Sequence, residues 1–304
     1  MDRIQKGVII WVLLLLIFSV VIVSAESLSS MENINKVEKM IYGTPLKDKP
    51  LIERIEKVEH LLFESSGKGS LTKRVERINS YITTQNKSLV LLLNINELIL
   101  YNQIKDNNIL ERLNSIENDL FGEKRQGPIV QRIEKASNLI QPSEENIIKK
   151  VTVPAGSEFK VRLVNELDSS RVKKGQMAEF EIVADVNIDK AMVIPAGTRG
   201  TIEIGSVEKA GKFGKNADIH FKKGIIRAID GQNINIQLLT EEDEDFSRET
   251  AAGLSILGAV TVSHPVGLIA GYFYEGNDIK IPEGTIIKMQ TVKEEEIDGY
   301  NKDF

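Results

Sequence analysis

The chain has 304 residues, a net charge of −5 and no cysteine. Disulfide staples and thiolate metal sites are thereby excluded, and the acidic balance offers no broad basic field for nucleic acid. Apolar residues at 41% suit a folded protein with an Ile-, Leu- and Val-rich core, and the length allows one large or two ordinary domains.

Residues 1–25 open with Arg3 and Lys6, run uncharged from Gly7 to Ala25, and close on Val23-Ser24-Ala25. A basic start, an apolar stretch and a small-x-small exit is the pattern of a secretory signal peptide. At roughly 19 residues the apolar stretch also approaches the ~20 that span a bilayer, so a retained membrane anchor is the alternative. Both readings place Glu26 onward in the periplasm or cell envelope.

Residues 26–140 read as a helical repeat region. Met31–Gly43, Ile52–Glu64 and Leu110–Gly122 are copies of one pattern, Thr72–Ile82 and Val130–Ile140 are shorter ones, and Val90–Asn102 is blurred. In one copy Ile52, Ile55, Val58 or Glu59, and Leu62 form an apolar stripe at three- and four-residue steps. Tyr42-Gly43 and Phe121-Gly122 mark helix ends that need a left-handed residue. A single helix of ~12 residues does not stand alone in water. The copies are therefore expected to pack as stacked hairpins, a solenoid or bundle, or to dimerise as an interrupted coiled coil. Arg54, Arg74, Arg112 and Arg132 recur at one position. They read as a solvated salt-bridge row or as a stripe for an anionic polymer.

Residues 141–149, with Pro142, read as a linker, and residues 150–293 as a β-domain. Phe159, Val161 and Leu163 alternate with Lys160, Arg162 and Val164. Ile202 and Ile204 alternate in the same way, as do Ile234, Ile236 and Leu238. One turn is used three times, in Val153-Pro-Ala-Gly-Ser157, Ile194-Pro-Ala-Gly-Thr198 and Ile281-Pro-Glu-Gly-Thr285. Pro154, Pro195 and Pro282 are expected at the first corner, and Gly156, Gly197 and Gly284 at the strained exit. Three such turns predict three equivalent strand entries at one end of a barrel or sandwich.

Thr250–Tyr274 carries no formal charge if His264 is neutral, and is punctuated by Gly253, Gly258, Gly267 and Gly271. It reads as a glycine-rich apolar hairpin that closes the β-domain core, packs in an oligomer or dips into a membrane. Residues 294–304 read as an acidic tail. No HExxH, GxSxG, P-loop or GxGxxG is present. His60, His220 and His264 have no motif-spaced partner, and Glu241–Asp245 lacks EF-hand spacing. The Lys209, Lys212, Lys215, Lys222 and Lys223 cluster reads as a solvated hairpin or a contact for phosphate-bearing envelope polymers. No catalytic residue, metal ligand or cofactor is assigned.

Val153–Leu239 combines the VPAG turn, a Ser-Ser followed by Lys-Lys-Gly, Asp185-Val-Asn-Ile188 and the IPAG-Thr turn. In this it resembles the barrel of the outer-membrane-spanning component of type IV secretion systems. The resemblance implies an envelope location, a β-barrel and a membrane-inserted hairpin whose counterpart here is Thr250–Tyr274; it transfers no functional residue. The Arg-x-x-x-x-Glu and Phe-Gly repeats of 52–122 resemble uncharacterised repeat proteins of double-membraned bacteria. The expected protein is a multidomain α+β envelope protein with no enzymatic role. Its partner is an envelope protein or polymer or a second copy of itself, and membrane contact is through 7–25 and 250–274. A secretion or channel-assembly subunit and a polysaccharide-binding or -processing enzyme are the competing readings.

Overall fold

Apolar stripes at helical spacing in the first half and two-residue alternation in the second give two different solutions to burial, and the chain divides between them at Pro142–Ser143. The computed structural model describes residues 29–84, 87–141, 147–210, 217–239 and 278–302, together with the two-residue strand Leu254–Ser255. The expectations for residues 1–25 and for Gly253, Gly258, Gly267 and Gly271 lie outside the described residues. The protein is α+β.

The first unit contains helix α1 (29–42), α2 (Leu51–Phe63), α3 (Leu71–Asn79), α4 (Leu89–Tyr101), α5 (Ile109–Phe121) and α6 (Ile129–Ile140), with a π-helical turn at Ser80–Thr84. Their starts follow from local chemistry. Ser70, Ser88 and Asn108 accept from the backbone N–H three residues on, while the extended Pro50 and Pro128 precede α2 and α6. The ends turn left-handed at Gly43 and Gly122, and also at Glu64 and Asn102, where no glycine stands. The apolar stripes meet in a core that includes Ile34, Ile55, Ile78, Leu91, Leu113 and Ile133, all at most 2% exposed.

In the second unit six strands form a closed antiparallel barrel: β2 (Glu158–Leu163), β4 (Met177–Ile182), β7 (Arg199–Glu208), β8 (Asp218–Arg227), β9 (Asn233–Leu238) and β12 (Ile286–Thr291). Each pairs with the next in the chain, and β12 closes the ring on β2. Because consecutive strands alternate direction, β2 and β7 start at one end of the barrel and β12 at the other. The three glycine turns are therefore not at one end, as expected: those at Pro154 and Pro195 share an end, and that at Pro282 is opposite.

The turn geometry also corrects the role of proline. Ser157 N–H donates to the Pro154 carbonyl, Thr198 to Pro195 and Thr285 to Pro282. Proline is thus the first of the four turn residues, one before the corner. The glycines do take the position that needs positive φ, at 79°, 77° and 82°. Each glycine N–H then donates to the strand alongside, Gly156 to Thr291, Gly197 to Ile182 and Gly284 to Leu163.

At the Pro154 end a second sheet runs β1 (Ile148–Val153), β13 (Glu295–Asn301), β6 (Ala191–Ile194) and β5 (Val186–Ile188). Within the expected acidic tail, β13 pairs with β1 from Glu295 to Tyr300 and with β6 through Tyr300 and Asn301. Ile297, Asp298 and Asn301 are buried, and a Cβ on Gly299 would lie 2.9 Å from that of Ala191. The expected linker likewise gives up its last residues to β1.

The barrel interior is packed, as a ring this narrow requires. Val161, Phe180, Ile202, Ile204, Ile234 and Met289 have no exposed surface. Gly200 lies opposite Phe180 across the β4–β7 ladder. A Cβ there would strike the Phe180 ring and come within 2.9 Å of the Ile225 carbonyl oxygen. The outer wall is charged, with Arg162 paired to Glu181 and Lys222 to Glu203. Such a wall suits water, whereas a lipid-facing barrel presents an apolar band. Replacing Gly200 by Ala forces a rigid backbone or ring to shift, so the unfolding midpoint in urea is expected to fall by the equivalent of about 1–3 kcal/mol.

Candidate functional site

The recurring arginines are buried, contrary to both readings of them as a surface row. Arg54, Arg74, Arg112 and Arg132 are 3%, 7%, 7% and 9% exposed. Each holds a carboxylate of the preceding helix with two guanidinium nitrogens. Arg54 reaches Glu38 at 3.0 and 2.6 Å, Arg74 reaches Glu59 at 3.1 and 2.6 Å, Arg112 reaches Glu97 at 3.0 and 2.8 Å, and Arg132 reaches Glu117 at 2.9 and 2.6 Å. The same carboxylates accept a backbone N–H from the loop that joins the two helices, at Leu46, Gly67, Lys105 and Arg125. Asn35, Asn94 and Asn114 take a further hydrogen bond from Arg54, Arg112 and Arg132. One buried anion thus fixes the fork of the next helix and the path of the loop between.

Electrostatics follow from that arrangement. Burial pushes the Glu59 carboxyl up, but the Arg74 fork and the Gly67 N–H outweigh it and hold the group below its ordinary value. Its hydrogen bonds to Glu59 in turn raise the Arg74 guanidinium further. A buried pair of this kind loses most when one partner is removed. Glu117→Gln is expected to destabilise by about 3–5 kcal/mol, whereas the joint change Glu117→Leu with Arg132→Met lands near the parent or above it. Thermal unfolding of the two variants beside the parent measures the difference.

The second constellation lies at the Pro282 end of the barrel. There β3 (Leu167–Asp168), in the connection from β2 to β4, pairs with β11 (Lys280–Ile281). Ser169 has no exposed surface. Its N–H donates to the Ile279 carbonyl, its hydroxyl donates to Asp278 Oδ1 at 3.2 Å, and the Ile279 N–H donates to that hydroxyl at 3.0 Å. Asp168 accepts from the Ser170 hydroxyl and N–H, with Lys280 Nζ 3.5 Å away. The Ser170 donors, and then Lys280, hold its carboxyl below the usual range. The chain returning at 278 is thereby stapled to the barrel. Leu239, the last described residue before 278 apart from the Leu254–Ser255 strand, donates its N–H to Lys288. Leu239 and Asp278 thus both sit at this one end. Between them in the chain Leu254–Ser255 forms β10, opposite Phe221 and His220 of β8.

The remaining expected residues are dispersed. His60 is exposed in the last turn of α2, and His220 Nε2 lies 3.3 Å from Asp218 and 3.9 Å from Glu208. Of the lysine cluster, Lys209, Lys222 and Lys223 are described and Lys222 pairs with Glu203 at 2.7 Å. Lys212, Lys215, His264 and Glu241–Asp245 lie outside the described residues. Among the described residues no group of three or more His, Asp or Glu side chains converges to hold a metal ion. No described helix is long and apolar enough to cross a membrane.

Two carboxyls at the Pro154 end escaped the sequence reading. Asp230, in the β8–β9 turn, is 1% exposed and accepts from the Gln232 N–H and side-chain amide and from the Asp298 N–H. Burial pushes Asp230 up, with nearby Asp298 adding to it, and pushes Asp298 up, with Glu296 adding to it. The folded state therefore holds these protons more tightly than the unfolded chain. Their contribution is greatest below the ordinary carboxylate range of ~4 and is lost as pH rises through the raised values. Asp298→Asn is expected to unfold at a higher temperature than the parent at pH 7, the gap closing as pH is lowered toward 4.

No family model matches the chain, and no curated protein matches it. Among solved structures, 18 chains match. One is ComB10 of the Com type IV secretion system of Helicobacter pylori, with a TM-score of 0.28, 16% identity, and coverage of 47% of this chain and 88% of that one.

Proposed function

We propose that the protein is a non-enzymatic structural or interaction component of the cell envelope. Its helical repeats serve as a spacer or oligomerisation module, and its β-unit as a docking module. The single observation that carries this reading is the basic–apolar–small pattern of residues 1–25, a pattern that directs the remainder of a chain out of the cytoplasm. The β-unit supports it: a packed interior and a charged wall leave the surface and the two ends as the parts that meet a partner. A second reading, a subunit of an envelope secretion or channel assembly, is favoured by one feature. Leu239 and Asp278, the described residues that flank 240–277, stand at one barrel end.

A tag placed after Phe304 and separation of cytosol, periplasm and membranes test the proposal. The expected outcome is recovery in the periplasmic or membrane fractions. A mature mass beginning at Glu26 identifies a cleaved signal, and a mass retaining 1–25 identifies an anchor. Intact product confined to the cytosol overturns it.

A further inference from the structure

The clamps are not spread evenly. With each helix described by its arginine position and its glutamate position, α1 carries Asn33 and Glu38, α2 Arg54 and Glu59, and α3 Arg74 and Asn79. The next three helices repeat the series: α4 carries Leu92 and Glu97, α5 Arg112 and Glu117, and α6 Arg132 and Ser137. In both sets the first helix offers only an acceptor, the second both partners, and the third only a donor.

Other features recur in the same register. Asn35 and Asn94 both accept from the arginine of the next helix. Tyr42 and Tyr101 close the first helix of each set, Phe63 and Phe121 the second. The cations over these rings come from different places in the two sets: Lys57 and Arg77, on the following helix, at 5.3 and 5.2 Å, and Lys105 and Arg125, in the loops, at 4.0 and 4.5 Å. Left-handed residues follow at Gly43 and Asn102 and at Glu64 and Gly122.

The junction between the sets is built differently. Asn79 and Leu92 supply neither the carboxylate nor the guanidinium of the other junctions. The α3 helix passes into the π-helical turn Ser80–Thr84, which breaks the regular i→i−4 bonding between the sets. Its Ile82 and the α4 residues Leu89, Val90 and Leu92 are buried, α4 packs on that turn, and α2 packs against α6. Apolar contact joins the sets, whereas charge clamps hold each together.

We infer that the helical unit consists of two copies of one three-helix block, α1–α3 and α4–α6, that open independently of each other at the α3–α4 junction. Loss of a clamp then weakens its own block and leaves the other intact, as separate cooperative units do. Hydrogen exchange followed by mass spectrometry on the full chain tests this. Glu117→Gln is expected to speed amide exchange in α4–α6 by about a hundredfold or more, the rate equivalent of losing a buried ion-pair partner, with less than about twofold change in α1–α3. Glu59→Gln gives the mirror result. The paired apolar change Glu117→Leu with Arg132→Met, which leaves no orphaned charge, restores slow exchange in α4–α6 and supplies a folded reference if a single variant does not fold. Equal acceleration of all six helices by either single variant, or acceleration of the opposite block, overturns the inference.

Discussion

A helix of about a dozen residues leaves a large share of its backbone groups unpaired and is marginal in water. In the helical unit the remedy is a carboxylate sunk between two helices, which satisfies the next arginine and a loop N–H together. Each such carboxylate ties two helices and the loop between them at one point. The cost of burying four guanidinium and four carboxylate groups is offset because each meets its counter-charge bidentately, and each carboxylate also accepts a loop N–H. Where the chain lacks the glutamate, at Asn79, the next helix also lacks the arginine, at Leu92. The pair is kept or lost as a unit, as the penalty on a lone buried charge demands.

The β-unit meets the same need by ring closure, which removes sheet edges altogether. Its barrel has one end continued by a second sheet and the other given over to the connections around β3 and β11. The Asp230 turn seals the first end: Ile229 donates to Val193 of β6, and Asp230 receives the Asp298 N–H of β13. The Ser169 hydroxyl does the corresponding work at the second end, gathering Asp278 and Ile279 beside Asp168.

Much of this was legible in the sequence. Period-two alternation placed Val161, Ile202, Ile204, Ile234 and Ile236 inward, and all are buried. Gly156, Gly197 and Gly284, expected at the strained exit of their turns, have positive φ. The failures share a cause, which is that pattern reading treats charge as solvated. Arg54, expected on a surface row, is 3% exposed, while Ile52, counted in the apolar stripe, is 38% exposed. Arg54 and Arg112 sit five residues from a glutamate in their own helix, yet the partner of every recurring arginine belongs to the helix before. No single-helix pattern contains that information. β13 was missed for the same reason, because Glu294–Glu296 hid Ile297 and the small, buried Gly299. The ends of the strand turns were misassigned because sequence shows a repeated motif but not the direction of the strand that comes after it.

The ring's closing seam joins its first strand to its last, and the neighbouring sheet likewise joins the beginning of the β-unit to Glu295–Asn301. Neither sheet can be completed before Ile286–Thr291 and Glu295–Asn301 have been made. Such distant pairing slows folding. While those strands are still to be made, the earlier strands of a nascent β-unit have no ring to close.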